Sequence, residues 1–154
     1  ATPAKLEALR LDFDHLSPEV QTDHDIALEL MAVRGGWLKH LDKSLRSDRD
    51  VVAVAIESDN RALMYADEEL RDDKDLVLRA VQIRGFALQY ASERLRGDRE
   101  IVSEAVKTDG FALCFASEAL RADKSFVVAA VSHDGAALVH ASPVLRADRE
   151  VVLE

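Results

Sequence analysis

From residue 23 onward the apolar and polar positions follow one order that restarts every 25 residues. Asp stands at 23, 48, 73, 98, 123 and 148. Leu recurs at 38, 63, 88, 113 and 138, and again at 45, 70, 95, 120 and 145. Each unit opens on Asp, generally followed by a basic and an acidic residue, and then turns apolar. Val51, Val52, Ala55 and Ile56 show the spacing i, i+1, i+4, i+5, which predicts a helix rather than a strand. Asp48 has the chemistry of its N-cap, and Asp50 adds negative charge where the helix dipole favours it. Asn60, matched by Gly35, Gly85, Gly110 and Gly135, is expected to end the helix in a left-handed C-cap. A shorter second helix follows, with Leu63 and Ala66 inward. Asp67, or Ser92, Ser117 and Ser142 in later units, then caps a terminal turn that delivers Leu70 or its equivalent inward. Ala62, Ala87, Ala112 and Ala137 are small enough for neighbouring helices to approach closely.

Helices under about 12 residues are not stable alone in water, so each unit must stack on the next. The fold class expected is all-α: an α-solenoid of 25-residue repeats, each with two short helices and a terminal turn, in right-handed helix-pair stacking. The organisation expected is one solenoid domain over 1–154. Residues 1–22 form a degenerate N-terminal repeat, in which Phe13, Leu16 and Val20 take the phases of Leu38, Leu41 and Leu45. Full repeats run over 23–47, 48–72, 73–97, 98–122 and 123–147, and 148–154 is a truncated one.

The run Asp98-Arg99-Glu100-Ile101-Val102 through Gly110, Ala112-Leu113, Ala116-Ser117 and Leu120-Arg121 resembles the tandem repeats named domain of unknown function 4116. These repeats occur largely in proteins of algae, other protists and some bacteria. The resemblance covers residues 23–150. It implies a helical repeat fold and, by analogy with other helical repeats, protein binding. It supplies no catalytic residue.

Composition narrows the function classes. The chain is 48% apolar, which suffices for a core, and its net charge of −9 is opposite in sign to what a dedicated nucleic-acid or anionic-lipid binder carries. One cysteine, Cys114, excludes an internal disulfide framework and a cysteine-based zinc site. The longest apolar runs, 51–56 and 126–131, are far too short to span a membrane. The first residue is Ala, not Met, so the chain is expected to be either processed or a fragment, with an intracellular location in the cytoplasm or, after N-terminal processing, an organelle.

No phosphate-binding Gly-rich loop and no His-Glu-x-x-His is present. Ser132, His133 and Asp134 hold the residue types of a triad, but sequence neighbours on a helix point apart. Asp12, Asp14 and His15 lack the Gly and later Glu of a calcium loop. No metal site and no cofactor is expected.

Three periodic features remain as candidates. His15, His40, Tyr65, Tyr90, Phe115 and His140 share one phase and form a ladder of flat rings, a candidate partner surface. The arginines Arg46, Arg71, Arg96, Arg121 and Arg146 form a line expected to interlock as an ion-pair ladder with Asp48, Asp73, Asp98, Asp123 and Asp148. A second basic line, Arg49, Lys74, Arg99, Lys124 and Arg149, sits in the first helical turn, where a cation is unfavourable without a compensating contact. An anion-binding ridge is the functional alternative for the arginines. The C-terminal end, with Phe126, Val127, Val151 and Val152, is expected to lie exposed. The natural chain would then continue past Glu154, dock a partner there or self-associate. The function expected is a non-enzymatic protein-binding scaffold, or an adaptor subunit of a larger assembly with other protein subunits as partners. The alternative is a cofactor- or pigment-associated subunit of an organellar complex using the ring ladder.

Overall fold

The computed structural model describes residues 18–153. They contain no strand, and the chain is an all-α repeat solenoid. Its contacts cluster into two compact units, Ala1–Arg71 and Asp72–Glu154, where the sequence reads as one domain.

Every repeat opens with a ten-residue helix: His24–Val33, Arg49–Ser58, Lys74–Ile83, Arg99–Thr108 and Lys124–His133. The aspartates cap them as the sequence predicts. Asp23 accepts the Ile26 N–H at 2.9 Å, Asp73 that of Leu76 at 3.0 Å and Asp123 that of Phe126 at 3.0 Å. The stripe Val51, Val52, Ala55 and Ile56 is buried, as are its counterparts Leu76, Val77, Ala80 and Val81. In the first unit His24–Val33 packs on Arg49–Ser58, and in the second Lys74–Ile83 packs on Arg99–Thr108. Each large side chain withdrawn from water in this way contributes roughly 1.5–3 kcal/mol.

The second helix of each repeat is a 3-10 helix rather than an α-helix. It spans Gly35–His40, Ala62–Tyr65, Gly85–Tyr90, Gly110–Phe115 and Gly135–His140. A 3-10 helix has three residues per turn, so positions i and i+3 share a face. Gly85, Leu88 and Ala91 are accordingly buried together, and so are Gly110, Leu113 and Ala116.

The expected left-handed C-cap is corrected as well. Among the described residues none, glycine included, has a positive φ. Gly35 and Gly85 are there for close approach. A Cβ on Gly35 would lie 1.9 Å from the Ala55 carbonyl oxygen, and one on Gly85 would lie 2.1 Å from that of Ala105. The Gly35 N–H instead donates to Ser58 Oγ at 2.6 Å, and that hydroxyl donates to the Met31 carbonyl at 2.5 Å. Thr108 Oγ1 donates likewise to the Val81 carbonyl at 2.9 Å.

A short α-turn closes each repeat, among them Lys43–Arg46, Glu93–Arg96, Glu118–Ala122 and Pro143–Arg146. Its last arginine is tied by main chain to the cap residue one repeat on. Arg46 C=O accepts the Asp67 N–H at 3.0 Å, Arg96 C=O that of Ser117 at 2.8 Å, and Arg121 C=O that of Ser142 at 2.8 Å.

The C-terminal end departs from expectation. Phe126 is 6% exposed, and Val127 and Val151 are fully buried. One helical turn, Arg149–Val152, packs on Lys124–His133 and brings Val151 into the core. Of the four residues expected to be exposed, Val152 alone is. The degenerate repeat at 1–22 lies almost wholly outside the described residues, as do His15 and the Asp12, Asp14 pair.

Candidate functional site

The 3-10 segments carry one face outward, and in the second unit that face is aromatic. The expected ladder residues Tyr90, Phe115 and His140 end their segments half-buried, as do His40 and Tyr65 in the first unit. The rings do not stack on one another along a single phase, however. Phe86 meets Phe115 edge-on with centroids 4.9 Å apart, and Phe111 meets His140 edge-on at 4.3 Å. Phe86 and Phe111 stack at 5.9 Å, which links the rings into one cluster. Edge-to-face and offset contacts are the favoured aromatic geometries. Phe111 is 44% exposed, and Val139 beside His140 in sequence is 66% exposed. The sequence reading missed Phe86 and Phe111. Their signal was available: they are 25 residues apart, and four before Tyr90 and Phe115.

The charged lines exchange roles. The carboxylates do form a ladder, but their partners are the first-turn cations of the preceding repeat. Lys74 Nζ lies 3.0 Å from Asp98 and 2.8 Å from Glu100. Arg99 reaches Asp123 at 2.5 Å, and Lys124 reaches Asp148 at 2.9 Å and Glu150 at 2.5 Å. His24 lies 3.3 Å from Asp48. The division of labour is by oxygen: Asp98 Oδ1 accepts the Glu100 and Ile101 amides while Oδ2 accepts Lys74. These contacts compensate the cation in the first turn. Amide donation from Phe126, the Ser125 hydroxyl and Arg99 together bring Asp123 down to about 2. Hydrogen bonds to Glu100 and Asp98 raise Lys74, and Asp148 and Glu150 raise Lys124.

The expected pairing of the arginines with these aspartates is therefore overturned. Both carboxylate oxygens of Asp98, Asp123 and Asp148 are engaged elsewhere. Arg46, Arg71, Arg96 and Arg121 each bury Nε with no hydrogen-bond partner. The surroundings of these arginines differ between repeats. Asp42 and Asp67 flank Arg46. The Ser44 amide and hydroxyl lower Asp42, the Ser47 hydroxyl and Glu68 amide lower Asp67, and the charge of Arg46 lowers both further. Ser117 and Ser142 take those two positions around Arg121. The Cys114 thiol is pushed up by burial, against the pull of Arg121, which suits a packing residue and not a nucleophile.

The family model described as "Domain of unknown function (DUF4116)" matches residues 23–71, 73–121 and 123–154. The chain belongs to the DUF4116 family. Each of the first two matches takes in a pair of the 25-residue repeats. A comparison with curated proteins and with solved structures returned no match. Among the described residues no group of three His, Cys, Asp or Glu side chains converges as a metal site, and no helix is long and apolar enough to cross a membrane.

Proposed function

We propose that this DUF4116 chain is a non-enzymatic protein-binding scaffold, an adaptor subunit that docks other proteins on the aromatic face of its 3-10 segments. The observation that carries the reading is the ring cluster Phe86, Phe111, Phe115 and His140 beside exposed Val139. Aromatic side chains held rigidly at a surface supply large contact area at low entropic cost, and they dominate protein interfaces. Here the rings stand beside the buried Ala87, Leu88, Ala112, Leu113 and Ala137 of the stacked repeats, so the frame is organised before any partner arrives. Nearest-neighbour stacking lets such a face extend without changing the frame.

Affinity capture from the native source tests this, with the wild-type chain run beside Phe111→Ser and Val139→Ser. A partner retained by wild type and lost by both variants, at unchanged circular dichroism, is the expected result. Retention by all three would place docking elsewhere. A visible absorption band in the purified native protein, beyond the absorbance of Trp37, Tyr65 and Tyr90, would overturn the scaffold reading in favour of a pigment-associated subunit.

A further inference from the structure

We propose that Arg121, Arg146, His140 and Ser142 form a binding pocket for phosphate, either the free ion or a phosphate monoester. The four side chains line one cavity of about 270 Å³ between repeats 98–122 and 123–147, with Glu118 and Pro143 also at its wall. The pocket shares His140 with the aromatic face but does not depend on protein docking there.

Its main ligand is fixed in place. Arg121 is anchored through its carbonyl to the Ser142 N–H at 2.8 Å, so the guanidinium and the hydroxyl belong to neighbouring backbone positions. Arg121 Nε is buried without a partner. Among the described residues neither Arg121 nor Arg146 has a carboxylate within ion-pair distance, although Glu118 lines the same cavity. Arg121 is half-buried and Arg146 exposed, so their terminal N–H groups remain open to a ligand, and an oxyanion supplies acceptors for several of them at once.

Ser142 differs from its counterparts. Ser92 Oγ is engaged by Asp72, and Ser117 Oγ caps the Leu120 amide at 3.4 Å. Ser142 makes no side-chain cap bond, and Ala122 stands where Asp72 meets Ser92. Its hydroxyl is therefore a donor without an internal acceptor. The imidazole of His140, in the lining of the same cavity, can add a further donor. Two planar forks, a hydroxyl and an imidazole lining one cavity offer the several donors that a tetrahedral oxyanion takes. The cavity has room for that group and for the first atoms of whatever carries it.

Arg96 also lies between two serines, Ser92 and Ser117, but there Asp72 takes the Ser92 hydroxyl; comparison with Arg46 shows a repeat that keeps its carboxylates. Arg46 has the same place in its repeat and the same buried Nε, but Asp42 and Asp67 answer its charge from within the chain. Around Arg121 the two positions are Ser117 and Ser142, so the cation is kept and its internal counter-charge is gone.

The test is a nitrogen-15 NMR titration that follows the arginine Nε–H and histidine ring signals, using inorganic phosphate, phosphoserine and sodium chloride at matched ionic strength. Saturable shifts at Arg121 and His140, at least about tenfold stronger than at Arg46 and absent with chloride, are expected. Tighter binding of phosphoserine than of inorganic phosphate assigns the site to a phosphorylated side chain, and the reverse order assigns it to the free ion. Arg121→Gln and Ser142→Asp should each remove the response at His140. Linear shifts of equal size at Arg46 and Arg121, or a His140 response that survives both variants, would overturn the proposal.

Discussion

Repeat 23–47 and repeat 98–122 share a backbone and differ in where their charge is balanced. Both have a capped ten-residue helix, a glycine-led 3-10 segment and a short turn ending in an arginine with a buried Nε. In the first, carboxylates at 42 and 67 face the arginine, whereas in the second, serines stand at both positions. Serine and aspartate both serve as N-caps, so the exchange preserves the turn while changing its electrostatics. The frame and the chemistry of its surface are thus written at different positions. The frame tolerates substitution at a cap that can carry either a neutral or a charged side chain, and a site can arise there without refolding.

If the frames are equivalent, damage to them should be too. Leu63 and Leu113 are both fully buried, and Leu63→Ala and Leu113→Ala should each cost about 2–5 kcal/mol in denaturant unfolding. An unequal pair would show that the units are not built alike. A smaller effect is expected at the glycines. Gly85→Ala should cost about 1–3 kcal/mol, because its Cβ would press on the Ala105 carbonyl. Gly135, with no neighbour within 4 Å of an added Cβ, should accept alanine at no cost in melting temperature.

The sequence carried the frame almost entirely. A 25-residue period, an Asp before each apolar stripe and leucines at two fixed phases were enough for the fold class, the repeats and the aspartate N-caps of the long helices. The left-handed C-caps and a side-chain cap bond from Ser142, by contrast, were expected and are not found. What was misread follows from periodicity of another kind. Gly85, Leu88 and Ala91 are spaced by three, the signature of a 3-10 segment, yet a single turn of either helix shows similar apolar spacing. The glycines were assigned to conformational freedom because sequence does not reveal a carbonyl arriving from the next repeat. The arginines were given to the wrong carboxylates for a related reason. That Asp98 spends one oxygen on its own amides and the other on Lys74 is a fact of orientation that residue spacing does not contain. The aromatic ladder was half seen: Phe115 and His140 were recognised, but Phe86 and Phe111, which bind them into a cluster, were not.

The carboxylate ladder gives a pH dependence whose sign is fixed. Lys124 lowers Asp148, burial opposing it, and Asp123 is held near 2 by the Phe126 amide, the Ser125 hydroxyl and Arg99. Carboxyls depressed in the fold stabilise it above their unfolded value. Their contribution should fade as pH falls from about 4 towards 2. Lys74 and Lys124, raised by their carboxylates, stabilise it below their unfolded value and lose that contribution as pH climbs past about 10.5. Thermal melts across pH should therefore show a plateau with shoulders at both ends. Asp123→Asn should flatten the acid shoulder, and Lys124→Met the alkaline one. The smallest stability effect belongs to Ser142→Asp, within about 0.5 kcal/mol, since the Ser142 side chain makes no cap bond to lose.

The comparison is tested most directly by moving the site. In the double variant Asp42→Ser/Asp67→Ser, Arg46 acquires the two serines that flank Arg121, with Tyr65 standing where His140 does. Phosphate titration followed at the Arg46 Nε–H should then become saturable where the wild type is not, while Arg121 responds as before. An Arg46 signal that stays as unresponsive as in wild type, in a variant with an unchanged far-ultraviolet spectrum, would contradict the claim that the cap residues decide where this frame holds an anion.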